Sequence, residues 1–162
     1  MTWHLTLKRK APENQAEAEI LIKGAVFLRD GIDNEGSTNN MAHPDLATLA
    51  MEFFYGPASL STVFPEVFSC KVPRVAVCLV ATALCAALDE YIQTGTQQDH
   101  PFKYSSYSKV FNGLLDLQQQ IDTHEKHAAK MKLLQVAWAL GSVPAKSGTV
   151  IPFSDEFVVL LD

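Results

Sequence analysis

The sequence is short of the residues and patterns that announce chemistry. It has only three cysteines in 162 residues. The number is odd, and Cys78 and Cys85 would lie about 10 Å apart on a helix, too far to bridge. No Asn-x-Ser/Thr sequon occurs, and MTWHLTLKRK lacks the apolar stretch and cleavage site of a secretory leader. These absences predict a reducing, intracellular compartment, cytoplasmic or nuclear. A glycine-rich phosphate loop, a dinucleotide fingerprint, Gly-x-Ser-x-Gly, Cys-x-x-Cys and His-Glu-x-x-His are all missing. The acidic stretch from Asp30 to Asn40 fails as a calcium loop, because Ile32 stands where the second ligand should be. No cofactor is expected.

Positive charge is scarce too. Thirteen Lys and Arg face 18 Asp and Glu, a net charge of −5. Affinity for nucleic acid comes largely from Lys and Arg, so this balance weighs against a nucleic-acid protein. The remaining basic features are Lys8-Arg9-Lys10 and a stripe of Lys126, Lys130 and Lys132, in which Lys126 and Lys130 share a helical face.

Long hydrophobic runs are limited to one. From Val75 to Leu88 only Thr82 is polar, and Arg74 and Asp89 close the run. As a helix it would cover about 21 Å, short of the roughly 30 Å hydrocarbon layer. It reads as a buried helix with no membrane partner.

What is present is a globular composition, 48% apolar and 19% charged. The length suits one domain, 1–162, with its core in 12–141. The expected fold is mainly α: a bundle of five or six helices around a central buried helix at about 73–94. Pro12 opens a first helix with apolar positions up to Leu28, ended by Asp30-Gly31. The stretch GIDNEGSTNNMA reads as an exposed loop. His43-Pro44-Asp45 starts a second helix with Leu46, Leu49, Ala50, Phe53 and Phe54 on its inner face, ended by Gly56. Pro57 to Ser69 reads as a short helix and turn, and Pro73 restarts the chain as the central helix, closed by Gly95.

After the loop TGTQQDHPF, Tyr104, Tyr107, Phe111, Leu114, Leu115, Gln118 and Ile121 keep one face. Ala128, Met131, Leu134 and Trp138 keep another. Asp122 with Glu125 fits a capping box, which predicts a break near Asp122-Thr123 and two antiparallel helices rather than one. The termini differ. TWHLTLK alternates at strand spacing, and TVIPFSDEFVVLLD has two β-prone runs. Segments 1–11 and 142–162 therefore read as strand-like, forming a small β element or pairing with another copy.

Few residues could carry chemistry. Asp89, Glu90 and Tyr91 end the central helix, where two acids oppose the helix dipole, and Lys103 or Lys109 could offset them. Adjacent helical residues diverge by about 100°, so the acids do not converge as a catalytic pair. Cys70, beside Lys71 and ahead of Pro73, is the best-placed nucleophile, but no His or Asn signature accompanies it. His124 and His127 have a spacing that could hold a metal, without an identifiable third ligand. His100 stands alone in a loop. For each, a structural role outweighs a catalytic one. Phe53, Phe54, Tyr55, Phe64 and Phe68 crowd one turn; most must be core, and any left exposed would form an interaction patch.

HPDLATLAMEFFYG, SLSTVFPEVFSCKVPRVAVCLVATALCAALDEYIQTG and KYSSYSKVFNGLLDL resemble an uncharacterised helical domain family of mushroom-forming basidiomycete fungi. The resemblance covers about Glu19 to Leu140, and ATALCAALDEY is its most specific block. It implies a fungal, intracellular, helical domain and transfers no catalytic role to any residue.

The leading functional expectation is a non-catalytic protein-interaction or self-association module, with a homodimer through the terminal segments. A small-molecule-binding protein or hydrolase-like enzyme using Glu90, Tyr91 and Cys70 is the alternative. A nucleic-acid-associated regulator stands third.

Overall fold

The computed structural model describes residues 10–56, 59–98, 101–141 and 161. Seven α-helices are described in chain order: α1 Ala11–Ile22, α2 Pro44–Tyr55, α3 Leu60–Val63, α4 Pro65–Phe68, α5 Arg74–Thr94, α6 Tyr104–Thr123 and α7 Glu125–Ala139. A 3-10 segment, Lys23–Leu28, follows α1. The mainly α bundle is as the pattern predicts, and the extra helices over five or six are the single turns α3 and α4. They are separate because Pro65 lacks an N–H and pushes Phe64 out of helical geometry, to φ −125° and ψ 62°. The strand-like readings of both termini fall almost wholly outside the described residues. Among these, the only β pairing is one antiparallel bridge between Ile32 and Thr38.

α5 is the axis. It packs most extensively against α1 and α6, then α2, while α7 closes the bundle against α6 and α2. Its buried residues include Val77, Cys78, Ala81, Leu84, Cys85 and Leu88. Each large side chain removed from water there contributes about 1.5–3 kcal/mol before conformational costs. The single polar member of the run, Thr82, is satisfied inside the helix by donating to the Cys78 carbonyl at 2.7 Å.

Two expectations about α5 need correction. The fourteen-residue run is only part of a 21-residue helix, about 31 Å long, whose best window has a mean hydropathy of 1.9. By length and composition it could cross a bilayer, so length alone does not decide the matter. Packing weighs the other way, since half of that window is buried among the other helices. Nor is the helix covered on every side: Val75, Leu79 and Ala83, at successive i+4 positions, are exposed.

The first helix is shorter than its apolar spacing suggests. After Ile22 the chain turns through left-handed Gly24 (φ 65°) and Ala25 (φ 56°), both buried, which redirects Phe27 and Leu28 into the core. The following segment, 30–42, is not an exposed loop. Asp30, Gly31, Ser37, Thr38, Met41 and Ala42 are all buried. The break between α6 and α7 falls at His124, next to the predicted place, but no capping box forms there. Asp122 instead pairs with Arg74 at the start of α5.

At the other end of α5, Gly95 is left-handed (φ 70°) and its N–H reaches the Tyr91 carbonyl at 2.7 Å. Asn14 on α1 donates to the Gly95 carbonyl at 2.8 Å, and Gln15 to that of Ile92 at 3.1 Å. Two orphan carbonyls of a helix end are thus satisfied by a neighbouring helix.

Candidate interaction surface

Among the described residues, the candidate nucleophile Cys70 does not meet Glu90 or Tyr91. Cys70 is exposed just ahead of α5, with its Sγ 3.6 Å from Ser69 Oγ. Glu90 lies sixteen residues into the same helix, about 24 Å along its axis from Arg74. Glu90 accepts from the Gln98 backbone N–H at 3.3 Å, and Tyr91 packs against the core. Asp89 is partly buried, and that burial raises its carboxyl pKa. Among the described residues no ion pair from Lys103 or Lys109 reaches either acid, so the expected offset of the dipole is absent. His100 lies outside the described residues.

Cys78 and Cys85 are inside the core, where burial pushes both thiols up to about 12 and keeps them protonated. His124 and His127 do come together, with ring centroids 4.8 Å apart and His127 buried. Among the described residues no third His, Cys, Asp or Glu completes a metal-holding group with them.

The basic stripe on α7 is occupied from within the chain. Lys130 pairs with Asp33, and Lys126 pairs with Glu35 at 3.4 Å while donating to Ser37 Oγ. Asp33 also accepts from the N–H groups of Glu35 and Ser37, both at 2.9 Å. The Lys130 hydrogen bond, with the Ser37 N–H next, holds the Asp33 carboxyl at about 2. A depressed carboxylate stabilises above its unfolded value near 3.8 and loses that contribution as pH falls through about 2. Lys132 alone of the three projects from an exposed position.

What the surface does present is apolar. At the end of α2, Phe54 and Phe68 are buried and stacked at 5.4 Å, with Tyr55 edge-on to Phe68 at 5.9 Å. Tyr55 Oη donates to the Phe68 carbonyl at 3.0 Å, which fixes α4 against α2. With that inner pair in the core, the neighbouring side chains are left outside. Phe53 is 64% exposed, Val63 61%, Val67 50% and Phe64 46%. Leu60 on α3 is exposed as well. The aromatic cluster thus divides into an anchor and a remainder, and the remainder with α3 and α4 forms an apolar ridge. The sequence signalled the aromatics of this ridge but not Leu60, Val63 or Val67, whose local pattern is that of any buried turn.

Residues 2–121 match the family model described as Domain of unknown function (DUF6532). The chain belongs to that family. No curated protein and no solved structure matches it. The three segments that carry the sequence resemblance all fall inside the DUF6532 match. The bounds differ from those expected, however: the match begins near the N-terminus and stops two residues before α6 ends. The ridge lies within the DUF6532 region, whereas all of α7 lies beyond it.

Proposed function

We propose that this chain is a non-catalytic protein-interaction module that associates with a second copy of itself through the ridge formed by Phe53, Leu60, Val63, Phe64 and Val67. The observation that carries this reading is the exposure of five large apolar side chains on one short stretch, pinned to the fold by the Phe54–Phe68 stack. Such patches are where soluble proteins meet partners, because association removes that area from water. An intracellular setting and a basidiomycete fungal origin belong to the same proposal; they rest on the cysteine usage and on the sequence resemblance. Pairing through the terminal segments would concern residues outside the described structure. The ridge needs no help from them.

The test is light scattering behind size exclusion, run across a wide concentration range on the full chain and on the double variant Val63→Lys, Val67→Lys. Both positions are exposed, so the helical circular dichroism should be unchanged. The full chain should gain mass with concentration, and the variant should stay at the monomer mass. A full chain that remains monomeric throughout, or a variant that associates equally well, overturns the proposal.

A further inference from the structure

The polar segment 31–41 is built unlike an ordinary surface loop. Left-handed residues stand at both of its ends, Gly31 at φ 65° and Met41 at φ 55°. A non-glycine residue in that region is strained, so Met41 is held there by its surroundings. The base of the segment is closed by the Asp30 N–H on the Asn39 carbonyl at 3.1 Å and the Asn39 N–H on the Gly31 carbonyl at 3.0 Å. The tip, Asp33 to Ser37, is a turn organised around the Asp33 carboxylate. Beneath lies a recess with room for about one water molecule, bordered by Leu28, Met41, Leu117 and Ile121 among others.

Two lysines of α7 reach the tip from the body. Lys130 holds Asp33 and also donates to the Ser37 carbonyl at 3.5 Å, while Lys126 holds Glu35 and Ser37 Oγ. The two lysines are one turn apart on α7, so both ammonium groups face the turn together. The fastening is uneven. The Lys130–Asp33 pair is about a quarter exposed on each side, whereas Glu35 is 76% exposed and its pair is open to screening.

We infer that 31–41 is a salt-releasable strap, latched to α7 by Lys126 and Lys130, whose opening uncovers the apolar seam bordered by Leu28, Leu117 and Ile121. The inference is independent of the ridge, which lies on other elements. It joins Asp33, Glu35 and Ser37, inside the DUF6532 match, to lysines of a helix that lies beyond it.

Native-state hydrogen exchange resolved at single amides tests it, on the full chain and on the double variant Lys126→Met, Lys130→Met. The amides of Asp30, Asp33, Ser37 and Asn39 should exchange about tenfold faster in the variant, as loss of charge-assisted contacts predicts. The same amides should accelerate in the unmodified chain when salt rises from roughly 0.05 to 0.5 M, with α5 amides unchanged in both cases. Exchange in 30–41 that ignores both salt and the lysines overturns the inference. So does acceleration shared equally by α5, which would mean the lysines support the whole fold and not a latch.

Discussion

Replacing Trp138 by alanine should cost about 4 kcal/mol of stability, the upper part of the range for large-to-small changes in a core. Trp138 has no exposed surface, although it lies seventeen residues beyond the end of the DUF6532 match. The same helix contributes buried Met131 and His127, and the Gln135 carbonyl accepts from the Val72 N–H at 3.0 Å, tying the entry of α5 to α7. If α7 were an appendage, its loss would leave the family region intact. Because it is core, urea unfolding should show a lower midpoint with an unchanged slope, a loss of stability and not of cooperativity. Trp138→Phe should cost far less. It keeps most of the apolar area, and it removes an indole N–H that has no hydrogen-bond partner among the described residues.

The second large effect is at Gly95. Alanine there should destabilise the chain by about 3 kcal/mol, for two separable reasons. The left-handed φ of 70° costs an L-residue about 1 kcal/mol. Beyond that, a Cβ would stand 2.3 Å from the Ala11 carbonyl oxygen and 2.6 Å from its Cα, and this neighbour is backbone that cannot swing aside. Relief would require α1 to lift from the end of α5, breaking the Asn14 and Gln15 bonds to the Gly95 and Ile92 carbonyls. Gly113 is the control. It lies inside α6, where an added Cβ meets nothing within 4 Å, so Gly113→Ala should gain up to about 1 kcal/mol from helix propensity. Thermal unfolding of the two variants should move in opposite directions. A Gly95→Ala variant as stable as the parent would show that α1 does not seat against α5 as described.

The helices that could be read from the sequence were those with strong punctuation. Pro44 and Gly56 bound α2, while Pro73 and Gly95 bound α5; proline presets φ at each helix start, and Gly95 takes the left-handed φ of 70° that closes α5. The break between α6 and α7 was also legible, yet its supposed reason was not. Asp122 and Glu125 have capping-box spacing, but Asp122 meets Arg74, a partner 48 positions away that local pattern cannot show. The strap 31–41 failed for the same reason on a larger scale. Its composition is that of an exposed loop, yet Ser37 and Thr38 are buried, and the lysines that meet its charges come from a helix some ninety residues later. Candidate chemistry was legible only as residue types. Cys70 stands four residues ahead of α5 and Glu90 near its far end, so most of that helix lies between them. The ridge was half legible, because a crowd of five aromatics around one turn exceeds what a small core can enclose.

The central claim is that α5 is the axis of a bundle that includes α7. Native-state hydrogen exchange in detergent-free buffer tests it most directly, by comparing the amides of Val77 to Leu88 with those of Met131 to Trp138. Both sets should be the slowest in the chain and should exchange at a common rate set by global unfolding. Fast exchange of the α5 amides in water, with protection appearing only when lipid vesicles are added, would contradict the claim and return α5 to the membrane.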